Sequence, residues 1–129
     1  MLLSIQFQGS SPSLGTGREL PTSGSLTSPN FPSGYNSNNL DLVQKIQVPE
    51  GNTIWIRFTD FRCESENDFV TVTDRDGTRL GHFEGGETND PVWREEIVSN
   101  TDTVEVLFHA DGSGTFKGWR LDWGKCRFV

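Results

Sequence analysis

Apolar and polar residues alternate with a period of two over most of the chain after residue 40. In such a stretch every second side chain faces the same way, as in a β-strand with one buried face. The clearest alternating segments are Leu42–Val48, Ile54–Phe58, Val70–Val72, Val104–Phe108 and Trp119–Trp123. Turn-forming residues separate them, and Asp74–Gly77 (DRDG) is typical of a hairpin turn.

No segment has a convincing helical spacing. Pro91–Ser99 comes nearest, and it is long enough for only one or two turns. Strands that are apolar on one face must bury that face against a second layer. The sequence therefore predicts an all-β fold, a two-sheet antiparallel β-sandwich of jelly-roll type.

The composition indicates one domain that is preceded by a short flexible segment. Residues 9–17 read GSSPSLGTG, which predicts a flexible N-terminal segment over residues 1–18, followed by a single domain over residues 19–127. The length of 129 residues fits one domain, and a hydrophobic fraction of 33% is enough for a modest core. Met1–Ile5 lacks the basic residues and the apolar length of a secretion signal.

The net charge of the chain indicates which kinds of partner it can bind. Eighteen acidic and eleven basic residues give a formal net charge of −7. A phosphate-binding surface needs a surplus of Lys and Arg, so this balance argues against a nucleic-acid or anionic-membrane partner. No apolar run approaches the roughly 20 residues of a membrane span, so membrane insertion is not expected. The excess of negative charge instead favours binding of cations or basic partners.

Enzyme motifs are missing from the sequence. The two histidines, His82 and His109, belong to no HExxH motif, and the chain has no GxSxG or P-loop pattern. We expect both histidines to be structural, at the surface or partly buried. The prediction is therefore a non-catalytic protein.

Acidic residues cluster in two predicted loops. Asp60, Glu64 and Asp68 lie within nine residues of one another, and Asp111 and Ser113 follow a later strand. Hard cations such as Ca²⁺ take about six to eight oxygen ligands, which two acidic loops at one end of a sandwich can supply. The alternative is a pair of solvated loops whose charges merely repel each other.

Tryptophans raise the question of a sugar-binding surface. Trp119 and Trp123 share one strand face with Leu121, which favours a place in the core. Trp55 points away from Ile54 and Ile56 and is therefore expected to be partly exposed. An exposed aromatic platform is the property that a carbohydrate-binding sandwich would need.

The two cysteines leave two interpretations open. If Cys63 and Cys126 were bridged, closing a loop of about 63 residues would stabilise the fold by roughly 4 kcal/mol in the chain-entropy model and indicate an oxidising compartment. If they were free thiols, neither consequence would follow.

Short motifs follow one another in a characteristic order over about 100 residues. They are GSLTSPNFP at 24–32, Tyr35, NLDLVQKIQVP at 39–49, WIRF at 55–58, Asp60-Phe61, Asp68-Phe69-Val70, LGHF at 80–83, IVSN at 97–100, Val106–Asp111 and Gly118-Trp119. This ordered set resembles the CUB domain, an interaction module of complement and tolloid-type proteases and of spermadhesins. The resemblance implies a β-sandwich that is extracellular or secreted as part of a larger protein. Leu42 and Glu84 stand where the family usually has cysteines, so both family disulfides are expected to be absent.

The resemblance also implies a calcium site. Many CUB domains hold Ca²⁺ with one Glu and two Asp, and Asp68 and Asp111 match the two Asp positions, with Ser113 as an auxiliary oxygen. The Glu position is matched by Glu64 on one spacing and by Asp60 on another. In the family such a site binds a basic side chain of a protein ligand.

The sequence leaves two alternatives to a protein-binding module. One is a carbohydrate-binding module, in which a glycan is the ligand, and the other is a structural docking domain of a larger multidomain protein.

Overall fold

The computed structural model describes residues 2–8, 20–34, 40–63, 68–84, 94–111 and 117–127, with the backbone alone for residues 2–8 and 127. These residues contain β-strands and no helical element. The strands are β1 (Leu2–Gln8), β2 (Ser23–Thr27), β3 (Leu40–Gln47), β4 (Asn52–Arg62), β5 (Phe69–Asp74), β6 (Arg79–Glu84), β7 (Ile97–Val98), β8 (Thr103–Ala110) and β9 (Gly118–Arg127).

The strands form two sheets that face each other. Sheet A has the order β1-β3-β8-β5-β6, and sheet B has the order β2-β9-β4-β7. All neighbouring strands are antiparallel except β1 and β3. The predicted two-sheet antiparallel sandwich is confirmed.

The core lies between the sheets and uses the alternation seen in the sequence. Trp119, Leu121 and Trp123 of β9 are fully buried, as predicted, and so are alternate residues of β4 and β8. Trp119 makes edge-to-face contacts with Phe58 of sheet B and Phe108 of sheet A, at centroid distances of 6.0 and 5.9 Å. Aromatic pairs of this kind contribute stability beyond the burial of apolar area, because they favour particular orientations of the rings.

The buried carboxylate of Asp74 lies at the start of the predicted hairpin turn. Asp74 accepts hydrogen bonds from the backbone N–H groups of Arg75 and Asn100, at 2.8 and 2.5 Å, and from the hydroxyl of Thr101 at 2.5 Å. These bonds offset the cost of removing the charge from water. In the same turn, hydrogen bonds from the hydroxyl and backbone N–H of Thr78 lower the pKa of the Asp76 carboxyl.

The N-terminal segment differs from the sequence prediction. Leu2–Gln8, within the segment expected to be flexible, forms β1 along the edge of sheet A, where it pairs with Leu40–Ile46 of β3. Residues 9–19 lie outside the described residues, and the domain boundary near residue 18 stays a prediction. In the stretch 91–99, which has no convincing helical spacing, Ile97–Val98 is extended and pairs with β4, with Ile97 opposite Ile56.

The cysteines are free thiols, and the bridged alternative is wrong for this fold. Cys126 is in register with Thr53 near the start of β4, whereas Cys63 follows the last residue of the same strand. Ten residues of strand separate these positions by about 30 Å, far beyond the roughly 6 Å between Cα atoms that a disulfide allows.

We predict that Gly24→Ala destabilises the fold. A Cβ at Gly24 would lie 2.8 Å from Cζ2 of Trp123, a ring that is buried in the core and cannot move aside. Overpacking of this kind costs about 1–3 kcal/mol of unfolding free energy, measurable by urea denaturation. Ser25→Ala, one residue along the same strand, is the control and should change the free energy little. Equal stability of Gly24→Ala and the parent would contradict this packing.

We also predict that reducing agent leaves the melting temperature unchanged, because no disulfide joins Cys63 and Cys126. In the native protein an alkylating reagent should label the half-buried Cys126 first, and the buried Cys63 only after unfolding. A non-reduced intact mass two hydrogens lower than the reduced mass would show an intramolecular bridge and refute the placement of these strands.

Candidate functional site

Asp68 and Asp111 meet at one rim of the sandwich. Asp68 immediately precedes β5, and Asp111 immediately follows β8. These strands are antiparallel neighbours, with Phe69 in register with His109, so the start of one lies beside the end of the other. The backbone N–H of Asp111 donates a hydrogen bond of 2.9 Å to Oδ1 of Asp68. The expectation that two acidic loops share one end is therefore met for this pair.

The environment of the Asp68 carboxylate is unusual. Its residue is fully buried, whereas Asp111 is half-buried. A buried carboxylate is costly unless hydrogen bonds or a cation compensate its charge. The bond from Asp111 supplies part of that compensation and fixes the separation of the two loops. At the rim, the Asp68 carboxylate is thus held next to the backbone of Asp111.

Asp60, the third acidic residue expected near this rim, is engaged elsewhere. It lies on β4 of sheet B, just after a bulge, and is in register with Arg120 of β9. Its Oδ1 accepts a hydrogen bond of 3.2 Å from Nζ of Lys117. As one of two positions proposed for the extra calcium ligand, Asp60 would have to exchange this ammonium group for the ion.

Glu64 and Ser113 lie outside the described residues. Within the described part of the chain, no group of three or more His, Cys, Asp or Glu side chains is placed to hold a metal ion. The described rim therefore provides two aspartates, which are hard oxygen ligands of the kind Ca²⁺ prefers. Glu64 and Ser113, which the resemblance implies as further ligands, stay predictions.

Three rings stack on the outer face of sheet A, next to the rim. Phe69 lies between His82 and His109, with both centroid distances at 4.9 Å. His109 is held by Asp41, 2.6 Å from Nδ1, and His82 by the hydroxyl of Thr71 at 3.0 Å. Each imidazole in the row thus has a hydrogen-bond partner on a neighbouring strand.

This row was not predicted as a unit. His82 and His109 were expected to be structural, which agrees with their anchoring, whereas Phe69 and Asp41 had no predicted role in such a row. The available signal was the period of two, which places Phe69 on the outer face of its strand. The contact with two histidines depends on the register of β6, β5 and β8, which no local pattern reveals.

Among the described residues, no helix has the length and apolarity needed to cross a membrane.

The chain is similar in sequence to a known protein family and its members. A family model for the CUB domain matches residues 17–123. Protein SpAN of Strongylocentrotus purpuratus is 35% identical over 101 residues, covering 75% of this chain and 16% of that protein. The chain thus spans only a small part of the curated relative that it matches.

Solved structures share the fold. The full extracellular region of zebrafish Gpr126/Adgrg6 matches with a TM-score of 0.72 at 27% identity, over 84% of this chain and 14% of that one. The MASP-1 CUB2 domain bound to Ca²⁺ matches with a TM-score of 0.70 at 25% identity, over 82% of this chain and 95% of that one. With its sandwich and its family match over most of its length, the chain belongs to the CUB domain family.

Proposed function

We propose that this chain is a non-catalytic, extracellular interaction module whose rim holds one Ca²⁺ ion and binds a basic side chain of a protein ligand. The hydrogen bond from the backbone N–H of Asp111 to the Asp68 carboxylate carries this proposal, because it holds together two aspartates that are 43 residues apart in sequence. The extracellular setting is supported by the likeness to an extracellular region in the zebrafish protein.

Calcium suits the charges at the rim. A divalent cation would compensate the charge of the buried Asp68 carboxylate, and aspartate oxygens are the hard ligands that Ca²⁺ takes. The Ca²⁺-bound CUB2 domain of MASP-1 has the same fold, which supports the assignment. Asp68 and Asp111 would be the first ligands, with Glu64 and Ser113 of the adjoining loops as further oxygens. Asp60 is the less favoured ligand, because Lys117 already pairs with it.

The carboxylates at the rim also indicate which side chains a partner would present to them. A lysine or arginine that approaches a calcium-ordered carboxylate gains a charge-assisted hydrogen bond, which is stronger than one between neutral groups. The net charge of −7 would also speed the encounter with a basic ligand. In a larger parent protein the module would use this rim to bind its partner.

We predict that millimolar Ca²⁺ raises the melting temperature and that Asp68→Asn abolishes this rise. Calcium that binds only the folded state stabilises it by about 2.7 kcal/mol at one hundred times the dissociation constant. The asparagine keeps an oxygen that can accept the Asp111 N–H bond but loses the charge that attracts the ion. Differential scanning fluorimetry with Ca²⁺ or EGTA measures both effects.

The matched control is Glu105→Gln, which removes one exposed carboxylate from the same strand that leads to Asp111. This variant should retain the full calcium-dependent shift. Mg²⁺ at the same concentration should act weakly, since it prefers a smaller octahedral site. A folded protein whose melting curve is identical in Ca²⁺ and EGTA would eliminate the calcium site, as would an unchanged shift in Asp68→Asn.

A further inference from the structure

Trp55 lies on the outer face of sheet B, away from the core. Its neighbours on β4, Ile54 and Ile56, are fully buried between the sheets, whereas Trp55 is half-buried, as expected from the sequence. The indole lies over Gly124 of β9, because a Cβ built on Gly124 would fall within 2.6–2.8 Å of three indole atoms. The missing side chain at Gly124 thus gives the indole its place on the sheet, and part of the ring still faces the solvent.

Two side chains of opposite charge lie beside the indole. Arg57 is the next outward-facing residue on β4, and Asp122 is opposite it on β9. The guanidinium carbon of Arg57 is 5.9 Å from the ring centroid of Trp55. A group in van der Waals contact with the ring face would be about 3.5–4 Å away, so Arg57 does not cover the face of the indole.

The polar side chains next to the indole have unused hydrogen-bonding groups. Oδ1 of Asp122 accepts a bond of 3.3 Å from Arg120, and Oδ2 has no partner among the described residues. Ser25 of β2 is in register with Asp122. Within the same part of the chain, neither the hydroxyl of Ser25 nor the guanidinium of Arg57 forms a hydrogen bond. A ligand on this face would therefore meet donors and an acceptor without displacing an existing contact.

We propose that this face of sheet B binds a neutral glycan, with one pyranose ring packed on Trp55. A pyranose ring has an apolar C–H face, which gains hydrophobic and dispersion energy when it covers an indole. Its hydroxyls both donate and accept hydrogen bonds, so one sugar can donate to Asp122 and accept from Arg57. This second site belongs to the other sheet and does not depend on the proposed calcium site.

The charges beside the indole favour a neutral ligand over a charged one. Residues directly opposite each other on antiparallel strands have Cβ atoms about 5 Å apart, which brings Arg57 and Asp122 close together. An anion attracted by the guanidinium would be repelled by the carboxylate, and a cation would meet the reverse. A sugar hydroxyl can satisfy both groups.

The apolar part of this face suits a sugar ring and falls far short of a protein interface. Stable protein interfaces bury about 800 Å² on each partner around an apolar core. Val98 of β7, in register with Trp55, is 48% exposed and is the one large apolar side chain of the described residues with such exposure. On the other side of Trp55, Gly124 and Ser23 continue the row across the sheet without apolar side chains.

The test is an NMR titration of the full chain in buffer that contains EDTA. The chain has four tryptophans, and the indole N–H signal that disappears in Trp55→Phe is that of Trp55. The probes are two neutral glycans, cellohexaose and N-acetyllactosamine. We expect at least one of them to shift the Trp55 signal with a dissociation constant of roughly 1 mM, while the signals of the buried Trp119 and Trp123 stay in place.

Variants at the site should weaken binding to different degrees, measured by the backbone amide signals of Gly124 and Ser25. Trp55→Leu should weaken it at least about tenfold, whereas Trp55→Phe keeps an aromatic ring and should retain part of the affinity. Asp122→Asn should weaken it about threefold to tenfold, because a charge-assisted hydrogen bond becomes a neutral one. Urea denaturation checks that each variant is folded.

Arg79→Gln and Glu105→Gln, which remove exposed charges from sheet A, are the matched controls and should bind like the parent. If neither glycan shifted the Trp55 signal, or if Trp55→Leu bound as tightly as the parent, the proposal would be overturned. Binding that appears in Ca²⁺ and is lost in EDTA would also overturn it, because the ligand would then be at the rim. A melting curve that is the same in Ca²⁺ and EDTA would refute the rim site and leave this proposal standing.

Two further measurements separate a neutral glycan from other occupants. A heparin-derived oligosaccharide should bind no more tightly than the neutral glycans, and tighter binding that Arg57→Gln abolishes would assign the face to an anion instead. Sedimentation of the free chain should show a monomer. Self-association that Trp55→Leu abolishes would show that a second copy of the chain covers the indole, and the glycan assignment would be wrong.

Discussion

The contact of Trp119 with both sheets is the interaction on which the rest of the structure depends. Its indole packs edge-to-face on Phe58 from one layer and on Phe108 from the other, so it fixes how the layers sit against each other. Burying the inward faces of the two sheets supplies the main driving force of a sandwich. Because the strand ends follow from that packing, the positions of all loops do too. The acidic rim exists because β5 begins where β8 ends.

The described ion pairs show that charge is distributed unevenly over the molecule. At the rim of sheet A, the buried carboxylate of Asp68 lies next to the backbone of Asp111. On sheet B, Asp60 pairs with Lys117 and Asp122 pairs with Arg120, so these charges compensate each other locally. The net charge of −7 is a sum over such regions and does not describe the charge of any one surface.

The sequence predicted the features that depend on local pattern. Period-two alternation located most strands and placed Trp119 and Trp123 in the core, and DRDG correctly indicated a hairpin turn. The ordered motifs identified the family, and the resemblance implied a common site for Asp68 and Asp111. Features that depend on register or on distant partners were not predictable. Lys117 lies 57 residues from Asp60, and no local signal indicates that the two pair. Likewise, only the antiparallel register of β4 and β9 shows that Cys63 and Cys126 lie at opposite ends of a strand.

The separation of those two cysteines has a consequence for where the domain can exist. A sandwich whose layers are joined only by noncovalent contacts has no chemical dependence on the redox potential around it. The free thiols of Cys63 and Cys126 mean that folding of this domain includes no disulfide-forming step. The redox state of the surroundings therefore does not by itself decide whether the two layers can assemble.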